Sequence, residues 1–147
     1  MTEPGMTPDL IVLRLLLAAA IGGVLGYERR VQGRPKAFGI AAMMLVAIGT
    51  TTYMLLAQYE SGRDRSLTGR TIQSVLQGIG FLAGAVIYKQ GVDVKGIKTA
   101  ATIWITSAIG LAVGTGFWWL GIIIGAATAV LLFVTDLLTP AENRDEG

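Results

Sequence analysis

Long apolar runs alternate with short charged ones along this chain. Leu10 to Tyr27 is apolar apart from Arg14, Phe38 to Ala57 holds no charge, and Thr71 to Tyr88 is uncharged with Gln73 and Gln77 inside it. Thr99 to Thr135 is a run of 37 residues without a charged side chain. About 20 apolar residues let a helix cross a hydrocarbon core of about 30 Å. The last run, as one helix, would extend roughly 55 Å, too long for one crossing. Gly114-Thr115-Gly116 lies near its middle, and Phe117, Trp118 and Trp119 follow as interfacial anchors. The pattern therefore predicts an all-α polytopic membrane protein: five transmembrane helices in a Gly-rich bundle, at about 10–27, 38–57, 71–88, 98–113 and 117–137. Residues 1–9 and 138–147 are left as tails.

Composition agrees with that class. Of 147 residues, 52% are hydrophobic, 15% are charged and 20 are glycine, and mean hydropathy is +0.60. A soluble domain of this size could not bury so much apolar surface, and soluble chains average about 25% charged residues. The first ten residues carry Glu3 and Asp9 but no base, unlike the basic start of a cleaved signal peptide. The first span is therefore expected to be retained. The net charge of +2 is too small to suggest nucleic acid.

Lys and Arg in short loops set orientation. One side collects Arg29, Arg30, Arg34, Lys36, Lys89, Lys95, Lys98 and Arg144; the other has Arg63, Arg65 and Arg70. The N-terminus is expected outside and the C-terminus in the cytoplasm.

With no Cys and no His, the chain lacks a thiolate nucleophile, a disulfide framework and the commonest neutral-pH acid/base group and metal ligand. No nucleophile–base pair follows from spacing, so no enzyme and no cofactor are expected. Glu28, Asp93 and Asp136 lie toward the cytoplasmic side, where carboxylates could attract Mg²⁺, but their spacing makes no ligand set. The string GIGFLAG at 78–84 lacks the Lys-Ser/Thr ending of a phosphate loop.

Arg14 is the one charge well inside a span, and two readings stay open: a functional intramembrane ion, or a side chain snorkelling outward. Glu28 returns to nearly the same helix face, but about 21 Å along the axis, so each needs its own partner. Arg30 reads as an ordinary positive-inside anchor; Arg29 remains a candidate for a surface or partner contact. Gln73, Gln77, Gly80 and Gly84 share one face of the third span, as interhelical glue or as the lining of a wet cavity. Thr99, Thr102, Thr106 and Gly110 share one face of the fourth, where hydroxyls and small residues join helices. Small-xxx-small spacings also recur at Ala18-Gly22-Gly26, Gly80-Gly84 and Gly121-Gly125. These spacings do not say whether packing is within or between chains; a homo-oligomer is expected.

The series Arg14-Leu15, Ala18, Gly22, Gly26, Glu28-Arg29 resembles the opening of the MgtC/SapB family membrane domain. The stretch "GIGFLAGAVIYKQGVDVKGIKTAATIWITSAIGLAVGTG", residues 78–116, is similar to that family's central signature, at Gly80, Phe81, Gly84, Gly96, Thr99 and Trp104 among other positions. The resemblance spans about residues 10–137. It implies a five-span protein of the bacterial inner membrane, linked to growth in low magnesium, with membrane lipids and a membrane complex such as the ATP synthase as partners. The implied function is non-enzymatic, acting through another membrane component; the alternative is a small Mg²⁺ transporter or channel using the Gln73/Gln77 face. Entering the second span the family commonly reads Ala-Gly-Leu-Arg-Thr, where this chain reads Phe38-Gly39-Ile40-Ala41-Ala42. The missing Arg leaves Glu28 without that partner, whereas Lys98 stands where the family usually has Thr. Either Glu28 and Lys98 tie the first span to the fourth, or each reaches water independently.

Overall fold

The structure, a computed structural model, describes residues 7–28, 36–60 and 66–138, apart from the side chains at 28 and 36–38. It contains α1 (Pro8–Glu28), α2 (Lys36–Glu60), α3 (Ser66–Ala85), β1 (Tyr88–Gln90), β2 (Asp93–Lys95), α4 (Ile97–Thr115) and α5 (Trp118–Leu138). Four helices, α1, α2, α4 and α5, are long and apolar enough to cross a membrane.

The helix directions follow from which residues meet. Gly22 of α1 lies against the Met43 carbonyl of α2, and Gly26 against the Gly39 carbonyl; a Cβ at either would stand 2.7 or 2.6 Å from that oxygen. As α1 numbers rise, α2 numbers fall, so the pair is antiparallel. Between α2 and α4 the numbers rise together. Thr106 meets the Met43 sulfur, Gly110 meets Ala47 and Thr50, and Gly114 meets Thr51 and Met54. Thus α2 and α4 are parallel neighbours. Helix α5 returns antiparallel to α4: Gly121 faces Val113, and Asp136 at its far end approaches Lys98.

Two parallel neighbours require a crossover, and α3 supplies it. Near one end Ala83 packs with Met43, Ala100 and Ile103; near the other Ile72 and Val75 pack with Met54, Ala57 and Leu111. So α3 runs antiparallel to α2 and α4 and covers the same depth, although it is less apolar than the other four. In cross-section α2 and α4 form the middle, α1 and α5 flank one side, and α3 lies on the other. The core beside α1 and α5 gathers Ala18, Leu25, Ala47, Ile109, Val113 and Leu132.

The predicted break in the long apolar run falls at Gly116, whose φ of 94° is left-handed and whose N–H bonds back to the Val113 carbonyl, as at a glycine C-cap. The third span differs from its expected 71–88. The helix starts earlier, at Ser66, and stops at Ala85. Tyr88, Lys89 and Gln90 then pair antiparallel with Lys95, Val94 and Asp93. This small hairpin, which the all-α expectation missed, turns the chain into α4 through Gly96 at φ 88°. A side chain at Gly96 would overlap the Val86 carbonyl, so the junction admits only glycine.

Candidate functional site

The last turn of an α-helix leaves carbonyls without intrahelical donors and carries partial negative charge. In α4 that end is buried among other helices; the Gly116 N–H serves the Val113 carbonyl, and the remaining donors come from side chains. Arg14, from the first half of α1, donates from Nη1 to the Gly114 carbonyl at 3.0 Å and, at a longer 3.5 Å, to Oε1 of Gln58. Gln58, near the end of α2, donates from Nε2 to the Thr115 carbonyl at 3.0 Å. The Nη2 side of the guanidinium lies against Gly116, where a Cβ would be 3.1 Å away. One cation and one amide thus close the end of α4 and clasp α1 and α2 to the turn before α5. Arg14 is half-buried and faces the bundle, which is the inward of its two open readings.

The opposite end of α4, about 24 Å away by helix rise, carries Lys98. Its ammonium lies 3.8 Å from the Asp136 carboxylate of α5, and both side chains are about two-fifths exposed. Asp136 therefore provides Lys98 with an ion-pair partner. The proposed Glu28–Lys98 tie involves the Glu28 side chain, which lies outside the described residues, as does Arg29. Helices α1 and α4 do touch.

The threonine face of α4 is buried against α2 at Thr102 and Thr106, while Thr99 is half-buried. Thr102 donates to its own Lys98 carbonyl at 2.8 Å, and Thr106 points at the Met43 sulfur, 3.8 Å away. Sequence reasoning missed two α2 partners. Thr51 donates across to the Gly110 carbonyl at 2.9 Å, and Thr50 bonds back to the Val46 and Ala47 carbonyls. The Ser107 hydroxyl is buried with no hydrogen-bond partner among the described residues. Trp104 stands half-exposed on the outside. Gln73 and Gln77 share a face as expected, but it is the outer face of α3, exposed with Gly80 and Gly84. That face lines no interior path within one chain.

Of the three small-residue stripes, two are used internally: Gly22 and Gly26 against α2, Gly121 and Gly125 against Val113 and Ile21. Among the described residues no three His, Cys, Asp or Glu side chains group as a metal site.

An up-and-down bundle of long apolar helices, sealed by glycine contacts and helix-end clasps, defines a multi-pass membrane protein. The chain belongs to the MgtC family, whose profile it matches over residues 15–142. It is 37% identical over 123 residues to Protein MgtC of Brucella abortus, covering 84% of this chain and 49% of that protein. It is 38% identical over 123 residues to SrpB of Synechococcus elongatus, covering 75% of this chain and 66% of SrpB. YhiD of Escherichia coli K12, named as a candidate magnesium transporter, is 34% identical over 140 residues, covering 91% of this chain and 64% of YhiD. The chain thus spans about half the length of the Brucella protein and about two thirds of the other two. No solved structure matches it.

Proposed function

We propose that this chain is a five-span module of the bacterial inner membrane, with the N-terminus outside, that serves magnesium homeostasis by binding another membrane component rather than by catalysis or ion passage. The observation that carries this reading is how its inward-facing polar groups are used. Arg14, Gln58 and Thr51 donate to backbone carbonyls of α4 and hold helices together, while Thr50 and Thr102 bond back to carbonyls of their own helices. All five bond to backbone instead of lining a route. Three apolar clusters fill the bundle along its length. The magnesium link rests on the name of the YhiD relative, and the five-span topology on α3 running the full depth beside α2 and α4.

That same name favours a second reading, Mg²⁺ transport. Two assays separate them. The full chain, expressed in a bacterium lacking its own family member, is expected to restore growth in low magnesium. In liposomes with an entrapped Mg²⁺-sensitive dye it is expected to pass no more Mg²⁺ than empty vesicles. Flux that disappears in Gln77→Leu would replace the first reading with the second.

A further inference from the structure

The glycine stripes of α1, α4 and α5 are matched against neighbouring helices within the chain; that of α3 is not. Cβ atoms built at Gly22, Gly26, Gly110, Gly114, Gly121 and Gly125 all collide with neighbouring helices, whereas those at Gly80 and Gly84 meet nothing within 4 Å. On the same face Gln73 and Gln77 are exposed and make no hydrogen bond among the described residues. Their depth makes this costly. In the helix Ser66–Ala85, Gln77 lies within about 2 Å of the midpoint along the axis and Gln73 within about 4 Å. An amide facing lipid tails there has no donor or acceptor to meet.

We propose that this face is covered by the α3 of a second copy of the chain. The choice of occupant comes from symmetry and chemistry together. Two copies inserted in the same direction are related by a twofold axis along the membrane normal, so their α3 helices run parallel. Residues on that axis meet their own counterparts. Such a position tolerates only groups that complement themselves. A carboxamide does, since it both donates and accepts, and glycine does, since it leaves room; a charge does not. The stripe 73, 77, 80, 84 contains only amides and glycines. Gly80 and Gly84 form the crossing point, where backbones approach as in small-xxx-small pairs. The longer glutamines bridge the gap as the helices diverge above it. The inference rests on α3 crossing the bilayer, as in the reading above.

The chain has no cysteine, so Gln77→Cys in the full chain is a single-thiol probe that leaves Gln73 in place. Under mild oxidation in native membranes it is expected to give a disulfide-linked species of twice the 15.5 kDa chain mass. Val130→Cys, on the exposed face of α5, is expected to stay monomeric. Adding Gly80→Leu should abolish the cross-link while leaving the monomer folded, since a Cβ there meets nothing of its own chain within 4 Å. Gln77→Cys cross-linking no better than Val130→Cys, or joining only to a different protein, overturns the proposal. Labelling with a membrane-impermeant maleimide keeps two failures apart. A labelled Gln77→Cys would refute the crossing of α3 and the dimer with it. A protected but uncross-linked thiol would refute the dimer alone.

Discussion

The guanidinium of Arg14 and the carbonyl of Gly114 are 100 residues apart in the chain and 3.0 Å apart in space. The bond joins the first helix to the end of the fourth, and it gives a buried helix terminus its donor. Replacing Arg14 by Met leaves that carbonyl unsatisfied, at a cost of about 1–3 kcal/mol. Arg14→Lys should recover only part: one nitrogen, Nη1, makes both bonds, but the shorter ammonium side chain lacks the planar group whose Nη2 packs against Gly116. Denaturant titration in detergent reads both. A loss for Arg14→Met within error of zero would show that the bond adds nothing.

Gln58 shares the same terminus, so its effect should couple to that of Arg14. The double replacement Arg14→Met/Gln58→Leu is expected to cost less or more than the sum of the single ones by at least about 0.5 kcal/mol. Strict additivity would mean that the two side chains cap the helix independently.

Glycines in the seams and glycines in the open should respond with opposite sign. At Gly110 a Cβ overlaps the Thr50 hydroxyl and approaches the Ala47 carbonyl, while at Gly49 it meets nothing within 4 Å. Gly110→Ala should cost about 1–3 kcal/mol by forcing α2 and α4 apart. Gly49→Ala should be neutral or gain about 0.5–1 kcal/mol from lower backbone entropy in the unfolded chain. Thermal unfolding of the two variants side by side is the check.

The Lys98–Asp136 pair is half open to its surroundings, with 41% and 42% of the side chains exposed, and its 3.8 Å separation is long. Exposed pairs of this kind contribute about 0–1 kcal/mol. Lys98→Met and Asp136→Asn should each leave the unfolding midpoint nearly unchanged. A loss as large as that of Arg14→Met would show the pair to be more shielded than its exposure implies.

Orientation can be read with single cysteines. Val92→Cys at the hairpin tip and Phe117→Cys at the α4–α5 turn lie at opposite ends of the bundle. An impermeant thiol reagent added to intact cells is expected to label Phe117→Cys and spare Val92→Cys. The reverse pattern would invert the topology.

The four long apolar helices were legible because length and apolarity mark a segment able to cross a bilayer. The break at Gly116 was legible because no single helix of 37 residues fits one crossing. The hairpin was not, although Tyr88, Val92 and Val94 around Gly91 carry a weak strand signal; a short polar stretch between two apolar runs looks like any loop. Arg14 stood out as a lone charge, yet its partner is a backbone carbonyl, which no side-chain pattern marks. Gln58 was overlooked because it sits just past the apolar run, where a polar residue needs no special reason. Lys98 was one candidate partner for Glu28, whose side chain lies outside the described residues; the described carboxylate near Lys98 is Asp136 of the fifth helix. That choice depends on how helices are arranged around α4, and loop charges carry no information about it.

The parallel alignment of α2 and α4 also constrains how the molecule is assembled during synthesis. The α1–α2 pair is antiparallel and can zip along Gly22 and Gly26 as soon as both segments have emerged. On the proposed five-span topology, helix α4 cannot take its place beside α2 until the chain has threaded back across the layer, and the segment that threads it is the least apolar of the five helices. A translocation machinery releasing segments in order would thus hold α3 at the threshold with little drive of its own, until α4 follows and draws it into register.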